Sequence, residues 1–127
     1  MRIFLSYRRD DSLVHASRLG DELRRHFGSE SVFWDVESLS AGSNFLEDLS
    51  RSLKRSDVVL VVIGPNWVSA RDAAGKLRIE NPDDFIRDEI AQALRGGQRV
   101  IPVLVGGAAM PGQHQLPADL APLAQLQ

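Results

Sequence analysis

The chain has no cysteine among its 127 residues. Disulfides and thiol catalysis are therefore excluded, and the composition fits a reducing compartment. No apolar run approaches the ~20 residues of a membrane-spanning helix. No signal peptide is expected, because "MRIFLS" already reads as structure at the first residues. Charge of one sign is also missing. A formal net charge of −2 gives no global field for nucleic acid. Histidine is sparse, and His15, His26 and His114 are scattered without cysteine partners, so no metal site is expected. No G-x-G-x-x-G follows the first apolar run, which argues against a dinucleotide-binding Rossmann site. "GGAAMPG" lacks the lysine and hydroxyl residue of a Walker loop. The most apolar segment ends in Ile63-Gly64, without the acceptor carboxylate of a phospho-receiver domain. These absences leave a cytoplasmic, single-domain protein with no cofactor, no membrane contact and no direct nucleic-acid partner.

What is present alternates in period. "RIFLS" (2–6) reads as a strand, and 10–27 as a helix with Leu13, Ala16, Leu19, Gly20, Leu23 and Phe27 on one face. "SVFWD" (31–35) is a second strand, 36–43 a loop, and Asn44 with Glu47 has capping-box spacing for a helix carrying Phe45, Leu46, Leu49 and Leu53. "DVVLVVIG" (57–64) reads as a central strand buried on both faces. Residues 65–81 form a long polar loop, and a helix follows to Gly96-Gly97. "RVIPVLV" (99–105) is a fourth strand, placed near an edge by Pro102. This order implies a parallel sheet with helices on both faces, in one domain.

In such sheets, sites lie beyond the carboxyl ends of the strands. Those ends are Ser6-Tyr7-Arg8-Arg9, Asp35-Val36-Glu37 and Gly64-Pro65-Asn66-Trp67. One further residue stands out. In "PDDFIRDEIAQAL" (82–94), Asn81 can cap the helix, Pro82 suits the first turn, and Asp83 and Asp84 favour its positive end. At about 100° per residue, Phe85, Ile86, Ile90, Ala93 and Leu94 form one apolar arc. Glu89 falls inside that arc, with Asp88, Ala91, Gln92 and Arg95 outside it. A carboxylate there is either at a frayed edge, paired with an arginine, or used chemically.

"IFLSYRRDD", "VFWDVESLSAG", "VVLVVIGPNW" and "DDFIRDEIAQAL", in that order, resemble a Toll/interleukin-1 receptor (TIR) domain of the bacterial, NAD-cleaving kind. The likeness runs from Ile3 through "LPADLAPL" and implies a flavodoxin-like fold. It also implies that NAD+ is a substrate and no cofactor is bound. Glu89, in an aromatic-x-x-x-Glu pattern with Phe85, is then the catalytic residue. Phe85 stands where some relatives carry tryptophan, and it keeps the apolar wall without the indole donor. The resemblance places Ser6, Tyr7, Arg8, Arg9, Asp35, Trp67 and Phe85 around the substrate, with Arg8 or Arg9 on the pyrophosphate. It makes Glu37, Ser38, Leu39, Ser40, Ala41, Gly42 and Ser43 a BB loop that docks on a neighbouring TIR domain. It further implies a sensor domain fused or associated elsewhere. Because the chain stops at "LAQLQ" where relatives continue, the last strand and helix of the family are expected to be missing. A non-catalytic TIR adaptor shares the fold and the loop but needs no glutamate. An α/β module for another nucleotide is the third reading.

Overall fold

The computed structural model describes residues 1–33 and 45–126. Four strands, β1 (Ile3–Ser6), β2 (Val32–Phe33), β3 (Val58–Ile63) and β4 (Arg99–Leu104), form one parallel sheet in the order β2-β1-β3-β4. The connections are the helices α1 (Arg9–Phe27), α2 (Phe45–Lys54) and α3 (Phe85–Arg95). β4 is one of the two edge strands, where Pro102 removes no interior ladder bond. Both interior strands are apolar. β1 is buried throughout, whereas Val58 and Leu60 of β3 are half-buried, so β1 and not β3 is the more completely covered.

Strand alternation sorts the side chains onto two faces. Leu5, Tyr7 and Val62 pack with Ala16 of α1 and Val32 on one face. Phe4, Val59, Val61 and Ile63 pack on the other with Leu53, Ile90, Ala91 and Ala93. A 3₁₀ segment, Ala118–Gln125, adds Leu120 and Leu123 to this second cluster, which closes over α3.

Four expectations change. The first turn of α1 does not share the helix's register. Ser12 is non-helical (φ −144°, ψ 28°), and it turns Leu13 outward and its own side chain inward. Leu13 and Phe27 are exposed, while Ala16 and Gly20 hold the buried face. The polar loop 65–81 is not all surface. Trp67 and Ile79 are fully buried within it, and its regular pairing is a single antiparallel bridge between Arg71 and Leu77. Finally, α3 begins at Phe85 with Asp84 as its N-cap, accepting from Arg87 N at 3.2 Å. Asn81 instead closes the preceding turn by accepting from Asp83 N at 2.9 Å. Ala91, placed outside the apolar arc, is buried, because α3 is wedged between the sheet, α2 and the 118–125 segment.

Candidate active site

The carboxyl ends of β1 and β3 face the start of α3. By alternation Ser6 and Arg8 point to the α3 side of the sheet, and Tyr7 points to the α1 side. Arg8 is only 3% exposed. Its guanidinium forms a two-pronged ion pair with Asp84, Nη1–Oδ1 3.0 Å and Nη2–Oδ2 2.8 Å. Its Nε donates to the Trp67 carbonyl at 3.0 Å, and its plane lies 5.6 Å from the Trp67 ring. One arginine thus ties the exit of β1 to the N-cap of α3 and to the loop after β3.

That loop is held from the other side by Asp11. Its two carboxylate oxygens accept from Gly64 N at 2.8 Å and Asn66 N at 2.7 Å. Position 64 needs glycine for this approach, since a Cβ there would stand 2.5 Å from Asp11 Oδ2. Arg87 fixes the outer side of α3. It donates to Asp119 at 3.1 Å and to the Glu80 carbonyl at 2.9 Å.

Within this frame Glu89 lies one turn into α3 and is 5% exposed, with Oε2 buried and without a hydrogen-bond partner. It is neither at a frayed edge nor paired with arginine. Burial pushes its carboxyl up to about 8 from an ordinary 4.5. The Ser6 hydroxyl pulls the other way from the end of β1, although Ser6 Oγ and Glu89 Oε2 stand outside hydrogen-bond geometry. Asp84 and Asp88 push it further up, and Arg8 draws it down. A carboxyl so raised favours its protonated form near neutral pH, and a positive charge brought beside it would favour the ionised form, which can stabilise a cation in a water-poor setting.

The predicted residues separate into groups. Ser6, Arg8 and Glu89 converge, with Asp84, which was not predicted as a site residue, beside them. Phe85 opens α3 one turn before Glu89 and is 49% exposed, so it stands at the rim and does not wall a buried pocket. Arg9 is exposed at the start of α1. Tyr7 packs in the α1-side cluster, with the sheet between it and Glu89. Trp67 is 0% exposed and belongs to the core, so it cannot offer a face to a ligand. Arg8 directs its Nε, Nη1 and Nη2 to the Trp67 carbonyl and to Asp84, contacts that hold the protein's own frame. Asp35 and the loop 36–43 lie outside the described residues. Sequence reasoning missed Asp11 and the capping role of Asp84. Asp84 was legible as the N-cap from its place directly before the first apolar helical residue. Asp11 was not, because its partners are backbone amides more than fifty positions away. Among the described residues no cluster of His, Asp or Glu could hold a metal ion, and no helix is long and apolar enough to cross a membrane.

The fold and the carboxyl-end site define a flavodoxin-like α/β domain. The model of the TIR domain family matches residues 3–126, and the chain belongs to that family. It is 32% identical over 124 residues to the NAD(+) hydrolase sarm1 of Drosophila melanogaster, covering 96% of this chain and 8% of that protein. The chain therefore spans under a tenth of this relative's length. Among solved structures it resembles the TIR domains of the activated Roq1 resistosome, which directly recognises the pathogen effector XopQ. That match has a TM-score of 0.65 at 17% identity over 98% of this chain and 69% of the other, a likeness of fold.

Proposed function

We propose that this TIR domain cleaves the bond between nicotinamide and ribose in NAD+, with Glu89 as the catalytic residue. The observation that carries the reading is Glu89 itself: a buried carboxyl with a partnerless oxygen, beside the end of β1 where sites of this fold form. The similarity to an NAD(+) hydrolase supports the substrate.

In the reaction the ribose C1′–nitrogen bond breaks, and its electron pair goes to the nicotinamide ring, which becomes neutral. The sugar develops oxocarbenium character. Glu89, ionised beside the cationic nicotinamide ring, stabilises that charge and holds the ribose hydroxyls. Nicotinamide leaves without a general acid. Water then attacks C1′ and loses a proton to give ADP-ribose, or an atom of the same molecule attacks to give a cyclic isomer. Phe85, exposed at the rim one turn before Glu89, is the side chain we assign to the rest of the nucleotide.

The domain works as the self-associating effector of a larger signalling or defence protein, through contacts of the loop 36–43. Turnover per molecule then rises with concentration, and a bulky residue in place of Gly42 suppresses turnover and self-association together.

The test is direct: incubate the protein with NAD+ and measure free nicotinamide and the ribosyl product. Release that is lost in a folded Glu89→Gln variant supports the enzyme. Self-association without any nicotinamide release at high protein concentration supports the adaptor instead.

A further inference from the structure

Among the described residues, Arg8 and Glu89 are the charged side chains classed as buried, and they belong to facing elements, β1's exit and α3. Buried opposite charges normally pair. Here they do not. Arg8 closes both prongs of its guanidinium on Asp84, whose side chain is 11% exposed, and Glu89 Oε2 is left without a partner. The other groups around Glu89 do not fill the gap. Asp88 accepts from Gln92 Nε2 at 2.7 Å, Arg87 turns outward to Asp119, and α2 presents Ser50 to Gln92. β3 offers only apolar Val59, Val61 and Ile63 on this face. Ser6 contributes a neutral hydroxyl, itself partnerless.

We propose that Asp84 is a positioning residue for the NAD+ reaction: it competes with Glu89 for the one buried guanidinium and, by winning, withholds a counter-ion from Glu89 in the resting site. The inference rests on the proposed reaction. It says why a carboxyl needed as an anion is built into an apolar helix face without a partner. A Glu89 paired with Arg8 would be permanently ionised, and its charge already neutralised. A Glu89 denied that pair ionises when the cationic nicotinamide ring of NAD+ comes beside it. The charge is then directed at the developing sugar cation. The raised Glu89 carboxyl, pushed up in part by Asp84, is in keeping with this arrangement. Asp84 also caps α3, so the same side chain sets the helix start and the charge balance.

Asp84→Asn separates the two roles, because asparagine caps a helix as well as aspartate but carries no charge. The titration of Glu89 is read directly from the ¹³C shift of labelled glutamate carboxyls, with its signal assigned by Glu89→Gln. In Asp84→Asn the midpoint falls by about one pH unit or more, and the ionised fraction at pH 7 rises by up to about tenfold. The pH–rate profile for nicotinamide release moves acid-ward by the same amount. In the double variant Arg8→Met with Asp84→Asn the shift disappears. An unmoved or higher midpoint in Asp84→Asn overturns the proposal. So does an equal shift in the double variant, which would mean that Asp84 acts by repulsion alone. Failure of Asp84→Asn to fold at any pH from 6 to 9 also overturns it, because Glu89 would then be unable to take over Arg8. If the midpoint moves as expected but no variant releases nicotinamide, the charge competition stands and the NAD+ reading falls.

Discussion

The two ends of the sheet are built on opposite rules. At the amino end every described polar contact closes. Arg2 N donates to Asp57 at 2.8 Å, Gln98 Nε2 donates to the carbonyls of Leu53 and Ser56, and Ser56 Oγ donates to the Ser52 carbonyl at 2.8 Å. At the carboxyl end, Ser6 Oγ, Ser12 Oγ, Trp67 Nε1 and Glu89 Oε2 are all buried without a partner. Native proteins satisfy most buried polar atoms, so a concentration of exceptions at one end needs a reason. The amino end joins helices to strands and gains stability from saturation. The carboxyl end keeps buried hydrogen-bonding capacity unpaired beside a carboxyl that burial pushes toward its neutral form, an arrangement that costs stability.

The comparison can be broken first at Glu89. Glu89→Gln is expected to lower nicotinamide release by on the order of 10²–10³ while the fold survives, since the size is unchanged. A folded variant that releases nicotinamide at a near-normal rate removes Glu89 from the chemistry. Next comes the ion pair. Arg8→Met leaves Asp84 without its partner in a mostly dry setting and should cost about 3–5 kcal/mol, read by denaturant melts. An effect under about 1 kcal/mol would show that the pair behaves like a surface contact.

The third test uses pH. The folded carboxyl of Glu89 sits at about 8 against 4.5 for its ordinary value, so the folded state holds an extra proton between those limits. Its contribution is fully present below 4.5 and is lost as pH rises through about 8. Wild type should therefore lose ground to Glu89→Gln by up to about 1.4 kcal/mol per pH unit across that window, a few kcal/mol in all. A constant stability difference from pH 5 to 9 would mean that Glu89 is ordinarily ionised. The smallest effect belongs to the amino end. Gln98→Ala removes two donated bonds and should cost about 1–2 kcal/mol without touching NAD+ cleavage. Loss of activity in that variant would show that the two ends are coupled.

The sequence by itself determined the parallel sheet from strand–helix order and the edge position of β4 from Pro102, and it set Glu89 inside an apolar arc while leaving open whether it was frayed, paired or used. Pro102 suited an edge, and a wheel of about 100° per residue put Glu89 between Phe85 and Ala93, while the faces of β1 were set only by what packs on each side of the sheet. The TIR likeness was legible as well, since it rests on motif order along nearly the whole chain. Tertiary structure alone decided which rim residues are rim. Trp67 and Ile79 lie in a segment of polar composition, yet they join one buried cluster with Ile90 and Ala93 of α3 and Leu120 and Leu123 of the 118–125 segment. Leu13 reads as core until the Ser12 kink turns it outward. Arg8 reads as a ligand for phosphate, but Asp84 lies 76 positions away in sequence and within 3.0 Å in space. A helical or strand period reports which way a side chain points within its own element. It carries no information about what another element, brought in by the fold, places opposite it.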